Sequence, residues 1–251
     1  MLEFTMTNNY DWSLPYLPNH VSSIVEVGSL HALDAIKLSE HFNCAVIAFE
    51  PNPAQLEICF TNLQTSRNQL VELRSEALSD KNKFTRFQAI DTSKYTNVGA
   101  SSFFEIDFSN RGKNDLDRNS APVQKSIEVE AVRWDSLGLP SPQLLVMDCE
   151  GAELLVLQGF GRFLRDVQYI VLEVSPVAIG HGACTFDEVN DFLRDNGFRF
   201  VGSSVYGKSY SYLKSRLILS AIRNRVRKPF GKPLRGYTLD VVYRQGKKLL
   251  K

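Results

Sequence analysis

Short apolar runs rich in β-branched residues alternate along the chain with segments whose apolar residues recur at helical spacing, and no internal repeat interrupts the pattern. This alternation predicts a parallel sheet with helices on both faces. Residues 24–27 read as a buried strand, and in residues 32–42 Leu33, Ile36 and the Ala35, Leu38, Phe42 series keep a helical period. Residues 44–49 form a second strand ending at Glu50. Asn52 and Pro53 then supply an N-cap and a first-turn proline to a helix whose Leu56, Cys59, Phe60 and Leu63 fall at i, i+3, i+4 and i+7. A third strand is expected at 70–74. Beyond Asp80 the pattern turns to strand and loop, with antiparallel additions at 84–90, 101–106 and 127–132 around a polar loop at 107–125. Residues 143–147 are a nearly continuous apolar strand running into Asp148, and 150–158 read as a helix stopped by Gly159. Residues 169–174 repeat the strand pattern. Thr185 and Glu188 form a capping box ahead of a helix that Gly197 ends, and strands at 198–205 and 237–244 complete the sheet.

The length of 251 residues suits one α/β domain. It is expected to carry an N-terminal extension at 1–20, a substrate-side insertion at 80–135 and a basic insertion at 206–236. Overall net charge is +1, which hides an asymmetry. Between Asn196 and Leu239 there are ten basic residues and no Asp or Glu, so the remainder holds 19 basic against 28 acidic residues. An acidic body carries a basic segment. Residues 209–227 have a broad apolar stripe flanked by arginines, which favours packing on the same domain or a second subunit. An anionic contact, a membrane surface through 209–235 or nucleic acid rank below it, the last because the tyrosines precede the arginines instead of interleaving with them. Residues 1–9 lack the pattern of a signal peptide and no window approaches the roughly 20 apolar residues of a membrane span, so a cytoplasmic protein is expected. Cys44, Cys59, Cys149 and Cys184 are widely spaced, which favours buried thiols over a zinc site or disulfides.

In an open parallel sheet ligands bind outside the carboxyl ends of the strands. Acids stand at nearly every such exit here: Glu26 before Gly28, Glu50, Glu76 before Ala77, Asp148 with Glu150, and Glu173. Carboxylates repel a pyrophosphate and suit hydroxyls, an ammonium or a sulfonium. The first turn has one glycine, Gly28, where a dinucleotide needs three. A nucleoside ligand without phosphates, such as S-adenosylmethionine, needs one small residue at the turn and an acid for the ribose diol, and Gly28 and Glu50 meet both needs 22 residues apart.

These motifs carry a resemblance. Glu26-Val27-Gly28-Ser29 with Leu33-Asp34-Ala35, Phe49-Glu50-Pro51-Asn52-Pro53, Gly99-Ala100-Ser101-Ser102 and above all Asp148-Cys149-Glu150-Gly151-Ala152-Glu153 are similar to the FkbM-like family of S-adenosylmethionine-dependent methyltransferases, over residues 20–176. The resemblance implies a class I methyltransferase (Rossmann-like) fold, a mostly parallel seven-stranded sheet, and O-methylation of a sugar, glycoside or small natural product. It places Glu26, Gly28 and Ser29 on the first cofactor loop, with His31 and Asp34 following. Glu50 falls at the ribose with Pro51 and Asn52 beside it, Glu76 and Ala77 near the adenine, and Asp148 at the junction of cofactor and substrate. Where the family carries a second glycine this chain has His31-Ala32, which fits if φ at Ala32 stays negative. Met147 replaces the lysine often found before the aspartate.

Transfer to an alcohol needs alignment, exclusion of water and a route for the proton. Asp148, Glu150, Glu173 and His181 are the candidate bases. The three carboxylates together suit a hard divalent cation such as Mg²⁺. Glu150 has a plainer reading as a cap on its helix, and Glu153 one as a solvent-facing or capping residue. Ser101 and Ser102 read as hydroxyls of a loop over the acceptor, and Arg133 as a contact for an acidic substrate or a partner of Asp135. Two other classes stay open on sequence: a non-catalytic cofactor-fold module whose basic arm docks a partner, and a nucleic-acid methyltransferase.

Overall fold

The computed structural model describes residues 10–91, 99–106, 124–204 and 239–246. Strands β1 (Ser23–Val27) and β7 (Leu144–Met147) are central and buried on both faces; β7 is an unbroken apolar run, whereas β1 carries the buried Glu26 among its apolar residues. Outward on one side lie β2 (Ala45–Phe49) and β3 (Val71–Arg74); on the other lie β8 (Tyr169–Val174), β10 (Leu239–Gln245) and β9 (Phe198–Ser203). The order β3-β2-β1-β7-β8-β10-β9 reverses between β1 and β7, and only β10 runs against the other strands, antiparallel to both β8 and β9. A smaller sheet holds β4 (Ala77–Leu78), β6 (Gln124–Val132) and β5 (Lys83–Ile90) in that order, with β5 and β6 antiparallel. The expected seven-stranded α/β architecture with an antiparallel insertion is what forms.

Alternation along the strands divides the core. Val25, Val27, Leu145, Met147, Ile170, Leu172, Val241 and Tyr243 face α3 (Glu153–Gly159) and α4 (Phe186–Asp195). Ile24, Val46, Ala48, Val146, Val171 and Val242 face α1 (Leu33–Phe42) and the 3-10 turn at Asp11–Tyr16, with buried Tyr10 packed in the same cluster. The Thr185–Glu188 capping box forms as expected, with the hydroxyl accepting from the Glu188 N–H and the carboxylate from the Thr185 N–H. All four cysteines are free, three of them buried.

Three local expectations are corrected. Helix α2 (Pro53–Ser66) is capped by Asn52 as read, but Phe60 lies 54% exposed and the inward stripe is Gln55, Cys59 and Asn62. The turn after β1 presents carbonyls that need donors, and this stripe supplies them. Residues 101–106 make isolated bridges, Ser102 to Gln88 and Ile106 to Gly180, and no strand, because the Phe104 and Ile106 N–H groups are taken by the Ser102 hydroxyl and the Gln124 side chain. Helix α3 begins at Glu153, three residues later than read, since Glu150 and Gly151 have φ of +50° and +93°. Among the described residues no helix is long and apolar enough to cross a membrane. The loop at 107–123 and the basic run at 205–238 lie outside them.

Candidate cofactor and acceptor site

Register creates the site. Ala48, Glu26, Val146 and Val171 lie at one level across the sheet, and the ladder continues past the strand ends, with Gly28 N–H to the Phe49 carbonyl and Asp148 N–H to that of Val27, each 3.0 Å. One pleat further on, the same face presents Glu50, Gly28, Asp148, Glu173 and, since β10 runs the other way, Asp240 opposite Glu173. A row of acids interrupted by one glycine therefore crosses the carboxyl edge at the reversal point. Gly28 is obligatory there: φ is +83°, and a Cβ would stand 1.9 Å from the Asp148 carbonyl oxygen.

On the β1–β2 side the acids are held by the backbone. Glu50 accepts N–H bonds from Leu30 and Asn52, both 2.8 Å, and burial pushes its pKa up to about 7. Glu26 accepts the Ser29 hydroxyl, and burial pushes it up to about 8. The turn itself is fastened by α2. His31 Nε2 meets Gln55 Oε1 at 3.0 Å, Asn62 Nδ2 donates to the His31 carbonyl at 2.8 Å, and Cys59 Sγ to that of Leu30 at 3.3 Å. Ala32 has φ of +58°, not the negative value expected, and Leu30 has +55°. Two non-glycine residues in left-handed backbone cost about 1–2 kcal/mol each, which the three side-chain bonds from α2 offset.

A cavity open to solvent lies over this turn. Gly28, Glu50, Pro51, Ala77, Ser101 and Asp148 are in its wall. Glu26, Ser29 and Asn52 are not in that wall: Asn52 donates its N–H to Glu50, and Ser29 bonds Glu26. His31 also lies outside it, and so does Asp34 in the first turn of α1. Glu76 forms an ion pair with Arg74 at 2.5 Å. Sequence reading missed the apolar part of the wall, Phe49, Leu78, Phe87 and Phe103, the last two in edge contact at 5.8 Å. Phe87 and Ala89 share one face of β5, and that alternation was the available signal.

Toward β8 the acids face one another. Asp148, Glu150 and Glu173 each offer an oxygen within 4.8 Å of the others. Asp148 Oδ1 is sealed from solvent without a hydrogen-bond partner, and burial, then Glu173 and Glu150, raise this carboxyl well above the usual range. Asp240, also missed, is pushed up to about 6 by burial and then by Glu173. Its alternation with Val242 at the start of the last strand was legible.

Other candidates lie elsewhere. His181 is exposed and outside the cavity wall. Arg133 is engaged by Asp135 at 2.8 and 2.5 Å and by the Asp80 carbonyl at 2.7 Å. The Ser102 hydroxyl donates to the Glu150 carbonyl at 2.7 Å, and that of Ser101 accepts the Ile90 N–H at 3.1 Å. Glu153 is buried and bonded to the 149–151 bend, not solvent-facing.

Comparison with known proteins gives the geometry a context. No curated protein matches the chain. The solved structures that it resembles include methyltransferase FkbM from Methylobacillus flagellatus KT, 12% identical over 72% of this chain and 39% of that one, with a TM-score of 0.46. They also include precorrin-6y C5,15-methyltransferase from Geobacter metallireducens GS-15, 15% identical over 98% and 93%, with a TM-score of 0.44. A third is M. capricolum TrmK in complex with S-adenosyl-homocysteine, 9% identical over 94% and 68%, with a TM-score of 0.44. The chain spans well under half the length of the first of these. The family described as Methyltransferase FkbM domain matches residues 30–200, most of the sequence and all of the site except Glu26, Gly28, Ser29 and Asp240, and the chain belongs to that family.

Proposed function

We propose that this chain transfers a methyl group from S-adenosylmethionine to a hydroxyl oxygen of a sugar, glycoside or small natural product. The observation that carries the reading is the acid row broken at Gly28, which runs along the cavity from Glu50 to Asp148 and on to Glu173. Each Glu50 oxygen already accepts one N–H and keeps a lone pair for a ribose hydroxyl. Phe49, Ala77, Leu78, Phe87 and Phe103 form an apolar, partly aromatic wall suited to an adenine. When bound, the cofactor supplies the methyl on a cationic sulfonium, which a carboxylate-lined cavity attracts.

The remaining work falls to Asp148 and Glu173. A carboxyl raised above its usual range is a stronger base once ionised, so Asp148, with Glu173 beside it, suits taking the proton from an acceptor hydroxyl. The same three carboxylates, Asp148, Glu150 and Glu173, are the residues that would hold a hard divalent cation, which would acidify that hydroxyl.

Titration calorimetry with S-adenosylmethionine is the first test, and absence of binding by the folded chain overturns the reading. Methyl-labelled cofactor offered with a panel of hydroxylated acceptors, in EDTA and with added Mg²⁺, is the second. Label appearing on oxygen supports the assignment; label appearing only on nitrogen or carbon replaces it. Activity equal in both media removes the cation.

A further inference from the structure

Glu153 opens α3 yet is 3% exposed, and its carboxylate turns back on the segment that precedes it. Oε1 accepts the Cys149 N–H at 3.0 Å and the Gly151 N–H at 3.3 Å, while Oε2 receives the Cys184 thiol at 3.3 Å. Between those two amides lies Glu150. It and Gly151 form a left-handed pair, a backbone conformation that persists only where the surroundings over-determine it. Gly151 is pinned from the far side too: its carbonyl accepts the Cys184 N–H at 2.9 Å, and a Cβ on it would come within 2.6 Å of Ala183 Cβ. Asp148 and Cys149 at one end of the bend and Ala152 at the other line the cavity, and Glu150 projects from its middle to join Asp148 and Glu173.

We infer that Glu153 is a positioning residue. Its carboxylate clamps the 149–151 bend and thereby sets both the cofactor-side wall at Cys149 and Ala152 and the aim of Asp148 and Glu150. A buried ionisable group that accepts two backbone amides is a costly way to fill space. The inference rests on the reading that the cavity takes S-adenosylmethionine.

Glu153→Ala, Glu153→Gln and Cys184→Ala test it by calorimetry with S-adenosylmethionine, well below each variant's Tm. Glu153→Ala is expected to weaken binding tenfold or more. Glu153→Gln, whose amide oxygen still accepts both N–H groups, restores it to within threefold, and Cys184→Ala stays within threefold. Amide exchange at residues 149–152 without cofactor should quicken in the Ala variant and return to normal in the Gln variant. If Glu153→Ala does not fold, Glu153→Met fills the space without an acceptor and takes its place. Equal affinity and exchange in all variants, or a Gln variant as weak as Ala, overturns the clamp and leaves the cofactor reading intact. A wild-type chain that does not bind overturns both.

Discussion

The two halves of the acid row differ in how their carboxylates are satisfied. Around β1 and β2, Glu50 is held by two backbone amides and Glu26 by a serine hydroxyl, on a turn that α2 fastens from behind. Around β7, β8 and β10, Asp148 and Asp240 have Glu173 as a common neighbour, and one Asp148 oxygen meets nothing. The first half is fixed by hydrogen bonds; in the second half carboxylates are left facing one another, the kind of arrangement that shifts pKa values at functional sites.

The largest effect should separate the halves cleanly. Asp148→Asn is expected to lower methyl transfer about 100-fold or more while cofactor affinity by calorimetry stays within about threefold. Equal losses in both would merge the two regions. Next comes Asp240. Its folded pKa lies above its ordinary value, so its protonated form favours the native state. That stability is fully present below about pH 4 and lost as pH rises toward 6. Asp240→Asn removes the loss and should gain about 2 kcal/mol over wild type at pH 7 relative to pH 4, read from urea unfolding at both pH values. A gain independent of pH would show that burial and Glu173 do not raise Asp240.

On the template side the expected effect is smaller. Burial pushes Glu50 up to about 7, and under the proposed function its ionised form would accept the ribose hydroxyls, so cofactor affinity should rise as pH increases from 6 to 8, by up to about tenfold. Glu50→Gln should be weaker and flat over that range; a slope retained in the variant assigns the titration elsewhere. The smallest change is expected at Glu26. A carboxyl raised to about 8 is already neutral at pH 7, so Glu26→Gln should shift Tm at that pH by no more than about 2 °C.

Strand positions, the caps at Asn52 and Thr185 and the row of exits were legible because each depends on local spacing and residue chemistry. What escaped depends on contacts distant in sequence. The inward stripe of α2 is polar because it must satisfy carbonyls of the turn after β1, and the period of its apolar residues says nothing of that need. Ala32 tolerates positive φ because of the same bonds. Phe87, Phe103 and Asp240 enter the site from segments that reach it only through the second sheet and the final strand, and no motif marks them. The helix spacing leaves Glu153 either facing solvent or capping; it is buried and accepts the Cys149 and Gly151 N–H groups, which depends on a bend that the spacing does not show.

The Ser102 hydroxyl, bonded to the Glu150 carbonyl, has a mechanical consequence. It is a rivet between the small sheet that carries the aromatic wall and the bend that carries the acids, with the Gln88–Ser102 bridge as its other plate. Under the proposed function, a cofactor pressing on Phe87 and Phe103 would load the same joint that holds the bend carrying Glu150.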